Sequence, residues 1–189
     1  MGRAMIVSAS ENEIKILSQL VRTYGYNRIS LISSGNEARR FINSAEFELV
    51  VISTPLTDEF GHELSIMMTE SSTAAVILLC KPDIADEVAD KVGDFGVCVV
   101  QKPVTKSSFH QALKLVQATR SRILGVKKEN GRLLMKIDEM RLINRAKLAL
   151  MQYLKFTEPQ AHRYIAKQAM DTRQTRKEVA IKILSMYER

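Results

Sequence analysis

The sequence predicts an α/β domain with a five-stranded parallel sheet, followed by a long helix and a small bundle of three helices. In the first 105 residues, short apolar runs alternate with helical patterns. A helical pattern then continues from residue 105 to about residue 155, and two capped breaks divide the remainder of the chain. Strands that are apolar throughout are typical of a parallel sheet covered by helices on both faces.

The five strands are expected at residues 4–8, 27–32, 48–52, 75–80 and 97–100. Ser10 and Ser34 each precede a glutamate by three residues, which is the capping-box spacing, so a helix is predicted to begin after each serine. Further helices are expected at about 62–71 and 83–92. Five such units in residues 1–105 fit the flavodoxin-like doubly wound fold.

The long helix carries apolar residues at heptad spacing, which predicts a coiled-coil linker over residues 106–140 and a parallel homodimer. Asn130 in this seam is expected to fix the register of the two chains. The alternative is a single long helix folded back on its own domain, which Gly125 and Gly131 leave open. The predicted seam consists of Val116, Ile123, Val126, Asn130, Leu133, Ile137 and Met140.

Residues 141–189 are predicted to form the small bundle, with helices at about 142–154, 158–170 and 176–187. Thr157 and Thr175 are the expected N-caps, each with a Gln or Glu three residues later. Apolar stripes face inward on the last two helices, which leaves the basic side chains for water or for an anion.

Charge is distributed unevenly along the chain. Residues 1–105 hold 9 Lys/Arg against 14 Asp/Glu, a net charge of −5, and residues 106–189 hold 19 against 7, a net charge of +12. This asymmetry favours a polyanionic partner for the second half only. The chain shows no apolar run of membrane-spanning length and no signal peptide, and its two cysteines favour a reducing cytoplasm.

The basic half resembles the ANTAR domain, a family of RNA-binding transcription antitermination regulators. The resemblance implies binding to small stem-loops in nascent RNA, which prevents a terminator hairpin from forming. RNA polymerase is then affected only indirectly. The matching positions are Ala146, Lys147, Leu150, Met151, Thr157, Glu158, Ala161, Arg163, Ala169, Met170, Asp171, Arg173, Val179 and Ala180, while His162 departs from the pattern. The expected RNA contacts are Lys147, Arg163, Lys167, Arg173, Arg176 and Lys177.

The first domain resembles the receiver domain of response regulators, but it lacks the carboxylates that phosphorylation requires. Ser8 and Ala9 stand at the positions of the metal-binding acids, and Ser53 stands at that of the phosphoacceptor aspartate. Cys80 replaces the usual Thr or Ser, and only Lys102 is retained. Mg²⁺ needs carboxylate ligands, so we expect a degenerate pocket without metal, cofactor or phosphoryl transfer.

Five side chains near this pocket have more than one possible role. Glu11 and Asp58 are expected to approach it without restoring the lost acids. Lys102 is expected to neutralise a nearby carbonyl or carboxylate. Cys80 and Cys98 could form a redox pair, although two buried apolar residues are the simpler interpretation.

The leading hypothesis is a dimeric, non-enzymatic RNA-binding antiterminator controlled without receiver phosphorylation, with a regulatory protein docking on the receiver-like domain. Two alternatives remain. One is a protein-interaction adaptor whose basic half is merely soluble. The other is a DNA-binding response regulator, against which the absence of a helix-turn-helix pattern argues.

Overall fold

The structure is a computed structural model that describes residues 2–187. Met1, Glu188 and Arg189, at the ends of the expected first and third domains, lie outside the described residues. The chain divides into two compact units, Met1–Gly125 and Val126–Arg189. This boundary falls inside the linker that was expected over residues 106–140.

The first unit contains the predicted five-stranded parallel sheet. Its strands are ordered β2-β1-β3-β4-β5, as in a doubly wound fold. Consecutive parallel pairs join β1 to β2, β1 to β3, β3 to β4 and β4 to β5. The strands are β1 (Gly2–Ser8), β2 (Tyr26–Ile32), β3 (Leu49–Ser53), β4 (Ala75–Cys80) and β5 (Cys98–Gln101).

Helices cover both faces of this sheet. Side chains alternate along a strand, so in β1 Met5 and Val7 join one core cluster while Ala4 and Ile6 join the other. The first cluster is covered by the helices that follow β2, β3 and β4, and the second by the first and fifth helices. These helices are α1 (Glu11–Thr23), α2 (Gly35–Phe41), α3 (His62–Ser71), α4 (Ala85–Val92) and α5 (Lys106–Leu154).

Helix α5 is as long as the sequence predicted, but its first turns are part of the first unit's core. Phe109, Ala112, Leu113 and Val116 are buried against the sheet. Val116 is only 3% exposed, so its assignment to the dimer seam was wrong: a second chain has no access to it. Residues 121–130 are all exposed.

The second unit is a three-helix bundle made by the end of α5, α6 (Glu158–Asp171) and α7 (Arg176–Tyr187). Its buried core is formed by three helices and consists of Ala146, Ala149 and Leu150 of α5, Ala161, Ile165 and Ala169 of α6, and Val179, Ala180, Ile183 and Leu184 of α7. Both predicted caps form. Thr157 N donates to Gln160 Oε1 at 2.8 Å, and Thr175 N donates to Glu178 Oε2 at 2.7 Å.

In residues 2–187, no helix is long and apolar enough to cross a membrane.

Candidate functional site

The first candidate site lies where the parallel strands end. Ser8 closes β1 and Ser53 closes β3, and the two residues are register partners. Both serines are buried. Lys102 follows β5 immediately, and its backbone N–H donates to the Cys80 carbonyl at the end of β4. The sheet therefore brings Ser8, Ser53, Cys80 and Lys102 to one edge, as their sequence positions implied, while Ala9 is exposed to solvent.

Glu13 is the centre of this site, a role that sequence reasoning missed. Its Oε2 accepts hydrogen bonds from Ser8 Oγ at 3.0 Å and from Ser53 Oγ at 2.6 Å. Its Oε1 forms an ion pair with Lys102 Nζ at 2.8 Å. Lys102 Nζ also donates to the Thr54 carbonyl at 2.8 Å. Lys102 thus neutralises the charge of one carboxylate and donates a hydrogen bond to one backbone carbonyl.

The capping-box rule had assigned the Glu13 carboxylate to the backbone of Ser10. Only half of that box forms, because Glu13 N donates to Ser10 Oγ at 3.4 Å but the carboxylate turns to the serines and the lysine. Ser10 N donates instead to Ser8 Oγ at 3.2 Å. A glutamate in the first turn after β1, with a lysine after β5, is the signal that could have revealed this contact.

The electrostatics of the site keep Glu13 ionised. Partial burial alone would raise the pKa of Glu13, but hydrogen bonds from Lys102, Ser53 and Ser8, together with the Lys102 charge, lower it below its ordinary value. Glu13 is therefore a carboxylate whose oxygens already have partners. Between residues 2 and 187, no cluster of three or more His, Cys, Asp and Glu side chains is placed to hold a metal ion.

Asp58 and the two cysteines have other surroundings than a rebuilt or redox-active pocket would give them. The Asp58 carboxylate accepts from Gly35 N at 2.8 Å and Asn36 N at 2.9 Å at the start of α2. Cys80 and Cys98 are also no redox pair. The register partner of Cys98 is Ile77, which precedes Cys80 by three residues. The two cysteines are therefore about 10 Å apart along the strands, farther than a disulfide can bridge.

The second candidate site is a set of exposed cations on the second unit, two on α6, one in the following turn and two at the start of α7. Arg163 and Lys167 are one helical turn apart on α6 and therefore share a face. All five of its cationic residues are exposed. We define the basic face as Arg163, Lys167, Arg173, Arg176 and Lys177.

Lys147, the sixth expected RNA contact, differs from the others. Its Nζ forms an ion pair with Glu158 Oε1 at 2.7 Å, and its side chain is only 16% exposed. The pair joins α5 to the start of α6, so the structure gives Lys147 a role inside the bundle rather than on the basic face.

The turn after α6 places Arg173 in an unusual backbone conformation. Its φ is +52°, in the left-handed region that favours glycine. Arg173 N donates to the Met170 carbonyl at 3.3 Å and Gln174 N to the Ala169 carbonyl at 3.0 Å, which is the hydrogen-bond pattern of a Schellman motif. Arg173 therefore occupies the position at which helices commonly have glycine.

Two uncharged side chains adjoin the basic face differently. Met170 lies two helical turns after Arg163 and is 79% exposed, which is unusual for a large apolar residue. Tyr164 packs edge-on against Phe156, with ring centroids 5.7 Å apart, so its ring is held by the bundle. Met170 is thus an exposed apolar side chain on the same side of α6 as Arg163 and Lys167.

The remaining seam residues lie on the exposed part of α5. Ile123, Val126, Leu133, Ile137 and Met140 are each at least about two-fifths exposed, and Asn130 is exposed as well. Among residues 2–187, none of the three core clusters includes a residue of this apolar stripe.

Comparison with known proteins covers both units. Residues 132–184 match the ANTAR domain. The chain is 25% identical over 184 residues to the transcriptional regulatory protein PdtaR of Mycobacterium tuberculosis, a match that spans 96% of this chain and 89% of that protein.

Solved structures match the fold of the first unit. A response regulator receiver domain protein from Clostridium thermocellum aligns with a TM-score of 0.56 at 19% identity, covering 66% of this chain and 99% of that one. The signal receiver domain of an HD domain-containing protein from Pseudomonas fluorescens Pf-5 aligns at 0.57 and 20% identity, covering 66% and 92%. The first unit therefore has the fold of receiver domains, and residues 132–184 are similar to the ANTAR domain.

Proposed function

We propose that this protein is a transcription antitermination regulator that binds stem-loops in nascent RNA through the basic face of its ANTAR domain. It acts by binding rather than by catalysis, and its receiver-like domain works without phosphorylation. The observation that carries the proposal is the basic face itself, five exposed cations on an ANTAR domain.

The basic face fits RNA for physical reasons. Lysine and arginine side chains that displace counterions from phosphates supply most of the attraction between a protein and a nucleic acid. None of the five cations in this face forms a salt bridge among those found in residues 2–187, whereas Lys147 does. Their charges are thus available to phosphates without breaking contacts of the bundle.

A single-stranded loop suits this face better than a duplex does. Side chains cannot read the deep, narrow major groove of an RNA duplex, whereas the splayed bases of a loop can stack on arginine planes or on other exposed side chains. Met170, beside Arg163 and Lys167, offers a polarisable apolar contact for a base.

The exposed stripe on α5 supports a homodimer. Val126, Leu133, Ile137 and Met140 keep heptad spacing with Asn130, and pairing two such stripes would remove their apolar surface from water. A dimer presents two basic faces, which suits a target with two hairpins. This arrangement rests on the corrected seam, without Val116.

The test is an affinity measurement on the full-length protein at two salt concentrations, with an RNA hairpin and an RNA duplex of equal length. Arg163→Ala combined with Lys167→Ala removes one i,i+4 pair of cations from the basic face. We expect a loss of about 10- to 100-fold in hairpin affinity, about 1.4–2.7 kcal/mol, and a salt slope lower by about 1.4 because two phosphate contacts are lost. The melting temperature should not change.

The matched control is Lys128→Ala combined with Arg132→Ala, which removes an exposed i,i+4 pair from α5 instead. It should leave hairpin binding unchanged. Equal affinity for hairpin and duplex, or equal losses in both double variants, would show that RNA is not recognised by this face. Failure of the wild-type protein to retrieve any hairpin would instead favour a protein-interaction adaptor.

A further inference from the structure

A cleft of about 560 Å³ opens beside the Glu13–Lys102 pair in the first unit. It lies between α1 and the segments that follow β3, β4 and β5. Its volume is within the range of about 300–1,000 Å³ that is typical of sites for small molecules. The basic face is on the other unit, so this cleft is independent of the proposed RNA contact.

The walls of the cleft are mainly apolar. Leu17 and Leu79 are buried side chains of the sheet's core, whereas Ile16 is 63% exposed. Removing exposed apolar surface of this kind from water lowers the free energy, so it favours the binding of an apolar ligand. The apolar lining consists of Ile16, Leu17, Leu79, Pro82, Pro103 and Val104.

The charged groups of the cleft favour an anion. Its lining includes Lys81 and Lys102 but only one acid, Glu13, which leaves a net charge of +1. The oxygens of Glu13 are engaged by Ser8, Ser53 and Lys102. A lysine ammonium has three N–H donors, and Lys102 uses two of them, on Glu13 and on the Thr54 carbonyl. In the described part of the chain its third donor has no partner.

We propose that this cleft binds a small amphipathic monoanion, whose carboxylate lies at Lys102 and Lys81 and whose apolar body lies along Ile16, Pro82 and Val104. Inorganic phosphate alone would leave the apolar walls in water. A metal cation would meet a net positive site with a single carboxylate that is already paired. The degenerate pocket thus has a ligand class of its own, which would supply an input to the regulator in place of phosphorylation.

The experiment titrates the full-length protein with octanoate, with its neutral analogue octanamide and with inorganic phosphate, using calorimetry and amide chemical shifts. Octanoate combines the charge and the apolar chain, so it should bind saturably and shift amides around Glu13, Lys81 and Val104. Octanamide lacks the negative charge and phosphate lacks the apolar chain. Each should therefore bind at least about tenfold more weakly than octanoate, a difference of about 1.4 kcal/mol. Octanoate should also raise the melting temperature.

Two variants with a matched control locate the site. Ile16→Glu places a negative charge at the cleft and removes an apolar contact, so octanoate affinity should fall at least about tenfold. Leu31→Glu makes the same kind of change at an exposed residue of β2, 52% exposed and outside the cleft, and should have no effect. Lys81→Gln removes an exposed cation without disturbing the core and should weaken octanoate more than octanamide.

Several results would overturn the proposal. One is a failure of octanoate to saturate the protein at about 10 mM, a concentration at which even a weak specific site would fill. Another is an equal affinity for octanoate and octanamide, or amide shifts confined to the second unit. The last is unchanged octanoate binding by both Ile16→Glu and Lys81→Gln.

Discussion

Replacing Arg173 with glycine should make the second unit more stable and its RNA binding weaker. A non-glycine residue in the left-handed region costs about 1–2 kcal/mol relative to ordinary helical backbone. Glycine removes this cost, but it destabilises the folded state by about 0.5–1 kcal/mol because it gives the unfolded chain more conformational freedom. Because Arg173 has a φ of +52°, we expect the free energy of unfolding to rise by up to about 1.5 kcal/mol, with a central value of about 0.75 kcal/mol.

The same substitution removes one cation from the basic face. If Arg173 contacts a phosphate, hairpin affinity should fall about tenfold, or about 1.4 kcal/mol, and the salt slope should decrease by about 0.7. Stability is measured by urea unfolding of the full-length protein, followed through amide signals of α6 and α7. Affinity is measured with the hairpin at two salt concentrations. Opposite changes in the two quantities would identify Arg173 as a residue retained for binding.

Lys155→Gly is the matched control. Lys155 also has a positive φ, +56°, and is also an exposed cation, but it precedes α6 whereas Arg173 follows it. Helix α6 has 14 residues and is therefore about 21 Å long, well beyond the screening length of about 8 Å at physiological salt. Lys155→Gly should gain similar stability and should lose less RNA affinity than Arg173→Gly does, because Lys155 is at the opposite end of α6 from Arg173. The reasoning fails if Arg173→Gly lowers stability, or if both variants lose RNA affinity equally.

Two further predictions concern the pocket and the seam. Because the pKa of Glu13 is lowered in the folded state, its contribution to stability should be present above the ordinary value of 4.5 and decline as the pH falls through the folded-state pKa. Glu13→Gln should lose this part of the pH dependence. The measurement is urea unfolding of both proteins from about pH 3 to about pH 7, a range that includes the usual glutamate pKa. Identical pH profiles for the two proteins would contradict the prediction. Ile137→Lys places like charges in the seam and should give monomers by sedimentation, whereas Met135→Lys, at an exposed position outside the heptad seam, should remain dimeric. A stable coiled coil is assembled at tens of micromolar. If the wild-type protein is a monomer at that concentration, the α5 stripe is not a dimer seam.

The sequence predicted the fold well because its elements are marked by local physics. Continuous apolar runs such as residues 75–80 specify strands buried on both faces, and the four Ser and Thr caps mark where helices begin. The start of the long helix was predicted within a residue or so. The heptad pattern was misleading at Val116, because spacing alone does not distinguish a residue that packs on its own domain from one that packs on a partner.

The candidate sites were harder to predict, because contacts between distant residues decide them. Glu13 satisfied a local rule, and its true partners Ser53 and Lys102 lie 40 and 89 residues away. Lys147 looked like any other surface lysine until the fold placed Glu158 beside it. The positive φ of Arg173 left no mark in the sequence, since arginine is not a residue that signals a left-handed turn.

The bond from Ser53 to Glu13 also constrains how this pocket can evolve. An aspartate at position 53 would restore the phosphoacceptor position, but the Ser53 oxygen lies 2.6 Å from a Glu13 oxygen. Two carboxylates at such a distance repel each other, which raises the pKa of one of them unless a divalent cation is bound between them. The first step back toward phosphorylation would thus be unfavourable unless Glu13 were replaced beforehand, and replacing Glu13 first would leave Lys102 without its counter-ion. Each single change is therefore unfavourable while the other residue remains, so Ser53 and Glu13 are coupled positions that a double substitution would have to change together.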